Sequence, residues 1–270
     1  SRADTQGAGR VWDFKQVETI CPYCGCGCTV VLDIRDNRIV QATGKSHSGI
    51  NAGLLCVKGR FGHDFVNHPE RLREPLIRRG EKLLPAGWDE ALDLVVRRLS
   101  QIKAQFGPDR IGGLASAKCT NEENYIFQKF LRAVIGTNNV DHCARLCHAS
   151  TVTGLAKAFG SGAMTNSIED FDHTDCIFVI GSNTTECHPV IGSAIKRNVL
   201  HRKVPLIVAD PRAIELTEFA TFHLRHRNGT DVALLNAMMH VILAEDLADR
   251  DFIAQRTEGF ETFLKAIEPC

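Results

Sequence analysis

Three cysteines on a short glycine-rich stretch, Cys21, Cys24 and Cys28 in "CPYCGCGC", constrain this 270-residue chain more than any other feature. Their spacing is C-x2-C-x3-C, and a fourth cysteine, Cys56 in "LCVKGR", follows at a distance. Thiolates two and three residues apart wrap three corners of a [4Fe–4S] cube, and a remote cysteine closes the fourth. Gly25 and Gly27 are expected to supply the positive backbone angles that so tight a wrap needs. Cys26 is then surplus and is expected to pack nearby. A structural zinc site competes with this reading, because four thiolates also suit zinc. Zinc pairs usually come as two C-x2-C knuckles, however, and here the second group holds one cysteine. Lys58, two residues after Cys56, is by spacing alone either a solvated charge or a functional one.

The total of 11 cysteines points the same way. Secreted disulfide frameworks are short and loop-rich, whereas this chain is long and helix-patterned, so metal binding or catalysis is the better expectation. Lys plus Arg and Asp plus Glu balance at 32 each, with no polybasic tract, which gives no reason to expect nucleic acid or an anionic membrane as a partner. No apolar run approaches the roughly 18 residues of a membrane span. The start, "SRADTQGAGR", has neither a signal-peptide core nor an initiator methionine. The chain therefore reads as cytoplasmic, and as a fragment of something longer.

Along the chain we expect a linker over residues 1–14, a small β-containing cluster domain over 15–72, a first α/β segment over 73–142 and a dinucleotide-binding α/β segment over 143–270. In the cluster domain, "TVVLDI" and "RIVQAT" read as strands turned by Asp36 and Asn37. Leu92, Val95, Val96, Leu99, Ile102 and Phe106 recur at helical spacing between Asp89 and Gly107-Pro108. "RIGGLAS" is a strand, and "TNEENYIFQKFLRAVIG" a helix opened by Thr120 and Glu123 in capping-box spacing and closed by Gly136. "CIFVIGS" and "VPLIVADP" are short apolar runs of the buried parallel type, separated by "HPVIGSAIKRNVL" with Pro189 in its first turn. Strand, helix, strand makes a βαβ unit, whose binding edge lies at the strand C-termini. "GTDVALLNAMMHVILAEDL" adds a helix capped by Thr230 or Asp231.

"DHCARLCHAS" carries a second candidate site. Cys147 falls at or just before a helix over "HASTVTGLAKAFG", where the positive helix end favours the thiolate that binds soft metals. Adjacent helical residues point about 100° apart, so His148 shares a pocket with Cys147 only if the pair sits on a turn. From spacing alone, a structural thiol beside a surface imidazole stays open.

The motifs together resemble the N-terminal part of the catalytic subunit of molybdenum- or tungsten-dependent formate dehydrogenases, in the family of molybdopterin oxidoreductases with two pterin guanine dinucleotides. "CPYCGCGC" with "LCVKG" is similar to the family's cluster loop, "SAKCTNEENY" and "GTNNVDHCARLCHAS" to its central signature, and "GSNTTECHPV" with "VADPR" to its dinucleotide loops. The resemblance spans residues 17 to about 270. It implies that Cys21, Cys24, Cys28 and Cys56 hold a [4Fe–4S] cluster, and that Lys58 lies between cluster and pterin. It implies that Cys147 ligates the molybdenum or tungsten with His148 as catalytic neighbour, where related nitrate reductases typically carry methionine. Ser182, Asn183, Glu186, Asp210 and Arg212 match the pterin-dinucleotide loops; Asp210 would take ribose or guanine hydrogen bonds and Arg212 would approach phosphates.

The implied fold is α/β: the small cluster domain followed by Rossmann-like αβα segments, truncated at the C-terminus. The implied reaction is formate oxidation to carbon dioxide, reversible in principle, with electrons leaving through the cluster to iron–sulfur or flavin partner subunits, NAD-reducing, or to a hydrogenase. An arginine that would hold formate is expected beyond residue 270. A nitrate reductase of the same superfamily, and a complex-I-like electron-transfer subunit without molybdenum, are the alternative readings.

Overall fold

The computed structural model describes residues 10–46 and 49–267, so most of the expected linker, residues 1–9, lies outside the described residues. The chain divides into two compact units, one ending at Ser167 and one beginning at Ile168.

The first unit opens with an antiparallel sheet of β1 (Lys15–Ile20), β2 (Thr29–Arg35) and β3 (Arg38–Gly44). Asp36 and Asn37 turn β2 into β3 with φ of 49° and 59°, the left-handed pair that a two-residue hairpin requires. Strand β1 was not anticipated. Its sequence KQVETI keeps five of six side chains exposed, so it shows little of the hydrophobic signal of a half-buried strand. Two short helices follow, α1 (Val57–Phe61) and α2 (Asp64–Asn67), then a hairpin of β4 (Leu76–Arg79) and β5 (Lys82–Pro85).

Helix α3 (Trp88–Phe106) matches the expected bounds, and strand β6 (Gly113–Ala115) lies within the expected run. The cover of α3 is less than its periodicity suggests. Leu99 and Ile102 pack on Ile111, Leu131 and Ile135, while Leu92, Val95, Val96 and Phe106 remain exposed. Thr120 and Glu123 form the expected capping box at the start of α4 (Asn121–Lys129). The helix then widens into a π-turn over Phe130–Ile135 and ends at left-handed Gly136. Strand β7 (Val140–His142) runs parallel to β6, and is followed by α5 (Ala144–Cys147) and α6 (Ala149–Phe159).

The second unit contains the expected βαβ unit. Strand β8 (Ile177–Ile180), a short turn of helix α7 (Thr184–Cys187), helix α8 (Pro189–Arg197) with Pro189 at its first position, and strand β9 (Leu206–Ala209) succeed one another. Strand β10 (Phe222–Leu224) completes an all-parallel sheet in the order β10-β9-β8. Leu206 and Val208 are 0% exposed and pack with Ile177, Val179, Ile195, Val204, Ile214 and Leu216. Each such side chain contributes about 1.5–3 kcal/mol by leaving water. Helices α9 (Asp231–Ala244), α10 (Arg250–Arg256) and α11 (Phe260–Ile267) finish the described chain. Thr230 stands at the N-cap of α9 without a side-chain cap bond.

Candidate metal and cofactor centres

The β1–β2 hairpin brings the ends of the cysteine loop together. Ile20 pairs with Thr29, and the next residues inward are Cys21 and Cys28, joined by a bond of 2.9 Å from the Cys21 N–H to the Cys28 carbonyl. Gly27 takes the positive φ expected of it, 68°. Gly25 does not: it is exposed, and a Cβ there would meet nothing within 4 Å. One left-handed residue is enough to turn the loop. Cys26 is buried at 2%, in keeping with a packing thiol.

Cys56 stands at the N-cap position of α1 without a side-chain cap bond, and that helix lies on the loop, because a Cβ added to Gly59 would stand 3.7 Å from the Cys21 Sγ. Burial first, and then the charges of Cys21, Cys24 and Cys56, push the Cys28 thiol up to about 11. Cys21, Cys24 and Cys56 thus lie close enough to Cys28 to bear on its charge. Yet among the described residues no three His, Cys, Asp or Glu side chains gather as a single-ion site would require. Four cysteine thiols, three of them on one loop and the fourth at the start of α1, are the donor set that a [4Fe–4S] cluster takes.

Lys58 is half-buried and lines, with Cys21, Tyr23, Gly59 and His63, a cavity of about 280 Å3. It thus stands beside the cysteine loop. Two residues that the sequence did not single out hold the loop. Asn51, 1% exposed, accepts from the Thr29 N–H (2.9 Å) and donates to the carbonyls of Thr29 (3.2 Å) and Leu54 (2.6 Å). It ties the strand after Cys28 to the segment before Cys56. Lys118 donates to the carbonyls of Pro22 (2.8 Å) and Tyr23, inside the loop itself. A polar residue close to a cysteine motif is a weak signal in sequence, and only the fold shows these partners.

Cys147 ends α5 and His148 stands between α5 and α6, with φ −143° and ψ 26°. The pair is therefore on a corner, which is the arrangement that lets adjacent side chains serve one pocket. Both are exposed. The corner is held by main-chain bonds from Cys147 N to Cys143 O (3.2 Å), His148 N to Ala144 O (3.1 Å) and Val152 N to His148 O (2.9 Å). The Cys143 Sγ accepts from the Ala117 N–H at 3.2 Å. Arg145 bonds the Asp141 carboxylate at 2.8 Å; that bond first, and the His142 N–H next, hold Asp141 below its ordinary value.

In the second unit, Ser182 and Asn183 follow β8, while Asp210 and Arg212 follow the adjacent parallel strand β9. Both loops thus leave the same edge of the sheet, where open α/β sheets bind ligands. Ser182 Oγ lies 3.0 Å from Thr184 Oγ1, and Thr185 donates to Asn183 Oδ1 at 3.3 Å. Glu186 is exposed on α7. Asp210 is buried at 3%, and its carboxylate accepts from the Arg212 N–H (2.8 Å), with the mostly exposed Arg212 guanidinium 3.5 Å away. One carboxylate oxygen thus shapes the loop, a task the sequence reading did not give it. His223 on β10 contacts the Asp210 carbonyl at 2.9 Å. Among the described residues no helix is long and apolar enough to cross a membrane.

Known proteins carry the same layout. Residues 14–68 match the molybdopterin oxidoreductase Fe4S4 domain, and residues 71–262 the molybdopterin oxidoreductase family. The chain is 48% identical over 93% of its length to F420-dependent formate dehydrogenase 1 subunit alpha of Methanococcus maripaludis, and 47% over 94% to formate dehydrogenase H of Escherichia coli. It is 43% identical over 94% of its length to a nitrate reductase of Symbiobacterium thermophilum. It covers 37%, 36% and 33% of those relatives, and so spans about a third of their length. Among solved structures, the acetylene hydratase of Pelobacter acetylenicus superposes with a TM-score of 0.80 at 25% identity, over 94% of this chain and 35% of that one. The two family matches take in the cysteine loop with its antiparallel sheet and the parallel α/β units that follow, and the chain belongs to the molybdopterin oxidoreductases, with their [4Fe–4S] cluster and molybdenum- or tungsten-pterin cofactor.

Proposed function

We propose that the protein containing this chain oxidises formate to carbon dioxide. The observation that carries this reading is the Cys147-His148 pair on the corner between α5 and α6. Relatives named as formate dehydrogenases support it. Cys147 is assigned as the protein ligand to the metal. Ser182, Asn183, Glu186, Asp210 and Arg212 are assigned to a pterin dinucleotide, and Cys21, Cys24, Cys28 and Cys56 to the cluster.

The bound metal–pterin group supplies the two-electron oxidation of a C–H bond that no side chain is able to attack. The chain's own residues handle what remains. Formate loses two electrons and one proton, and His148, exposed beside Cys147, orients the carboxylate and accepts that proton. Lys58 is assigned to the interval between pterin and cluster, consistent with its half-buried place beside Cys21. A cluster held by Cys21, Cys24, Cys28 and Cys56 would supply electron transfer to partner subunits of iron–sulfur or flavin type, in a cytoplasmic complex.

The test uses the complete protein purified without oxygen. About four or more irons and roughly one molybdenum or tungsten per chain are expected, with turnover of formate and none of nitrate. His148→Ala is expected to cut formate turnover by about 100-fold or more while iron stays in place. Near-normal turnover in that variant, or nitrate turnover by the parent, overturns the assignment.

A further inference from the structure

The Lys118 ammonium has three donors. Two are spent on the carbonyls of Pro22 and Tyr23, which lie between Cys21 and Cys24, about 95 residues away in sequence. The ammonium also sits 5.8 Å from the centre of the Tyr23 ring, and the Tyr23 hydroxyl donates to the Gly62 carbonyl just past α1, the helix with Cys56 at its N-cap position. On its other side, Lys118 is joined in the chain to Ala117, whose N–H bonds the Cys143 Sγ; the Cys143 carbonyl in turn accepts from the Cys147 N–H. An unbroken run of contacts within the first unit thus leads from the cysteine loop through Lys118 to the corner that carries Cys147.

We propose that Lys118 is a second lysine of the cluster, distinct from Lys58: a positioning residue that fixes the loop between Cys21 and Cys24 and holds a positive charge against it. The proposal rests on the reading of Cys21, Cys24, Cys28 and Cys56 as cluster ligands. Reduction adds an electron to a cluster that its thiolates already make anionic, and a fixed cation nearby stabilises the reduced form, so the charge raises the potential. Lys118 is itself exposed, so water screens part of this and the shift is modest. Because the same residue grips the loop and leads to the Cys147 corner, it sets the cluster's readiness to accept electrons at the point where the two centres are mechanically joined.

The experiment is a reductive titration of the complete, anaerobically purified protein, following the reduced cluster by electron paramagnetic resonance and measuring iron per chain. Lys118→Met is expected to keep its iron and to shift the cluster to a more negative potential. At the parent's midpoint its reduced-to-oxidised ratio should fall by about threefold or more. Lys118→Arg keeps the charge and is expected to titrate like the parent. An unchanged potential in an iron-replete Lys118→Met protein overturns the proposal, as does an equal shift in Lys118→Arg. Should Lys118→Met lose its iron, Lys118→Arg decides: retained iron with the parent's potential supports the role, and lost iron overturns it. A parent protein without iron sinks the cluster reading itself, which separates the two failures.

Discussion

Leu206 and Asn51 are both almost hidden from solvent, at 0% and 1%, yet they hold their neighbourhoods by opposite means. Leu206 belongs to the apolar core under the β8–β9–β10 sheet, where many side chains share the work and each contact is non-directional. Asn51 makes three directed bonds that join the strand after Cys28 to the segment before Cys56. The comparison teaches that the strand-end loops of the second unit stand on a shared apolar core. The cysteine loop stands on a handful of polar staples and, in our reading, on the cluster it surrounds.

The largest expected effect comes from the apolar side. Leu206→Ala should lower the unfolding free energy by about 2–5 kcal/mol, seen as an earlier urea transition of the complete protein, without lowering iron per chain. Iron loss as severe as that from loop variants would dissolve the contrast. Asn51→Ala leaves a part-buried N–H and two carbonyls without this partner and should cost about 1–3 kcal/mol, with iron released faster to a chelator. Iron retention equal to the parent's would show that the loop does not depend on its staple.

The smallest effect is on pH dependence. Asp172 is held below its ordinary value by the Arg197 hydrogen bond first and Asn198 second. Its folded value lies under the unfolded one, so its stabilisation is present above about 3.8 and is lost as pH falls through the folded value. Asp172→Asn should therefore flatten the acid limb of a plot of melting temperature against pH, with a change of about 1 kcal/mol or less at neutral pH because the pair is half exposed. An acid limb identical to the parent's would remove Asp172 from the account.

The two regions also differed in how far their sequences could be read. The βαβ unit was plain, because "CIFVIGS", Pro189 and "VPLIVADP" each state a local preference that agrees with the fold. The cysteine spacing was equally plain. The staples were not: Asn51 meets Thr29 across 22 residues and Lys118 meets Tyr23 across 95, and no local pattern records such a closure. Strand β1 escaped for a related reason, since it pairs through its backbone while its side chains face water. Helix α3 was legible as a helix, but its periodicity did not say that Leu99 and Ile102 would be covered while Leu92 and Val96 stayed exposed. At the sites, spacing suggested Cys147 and His148 as a pair only if they sat on a turn, and the φ of −143° at His148 is what makes that turn.

Gly62 has a consequence for how this sequence is able to vary. Its φ is −81°, open to any residue, but a Cβ there would lie 2.5 Å from both the Lys58 carbonyl oxygen and the Tyr23 hydroxyl. Even alanine must push Tyr23 off the helix behind Cys56. In a library of variants sorted for retained iron, position 62 should tolerate almost nothing, although its backbone angles admit every residue.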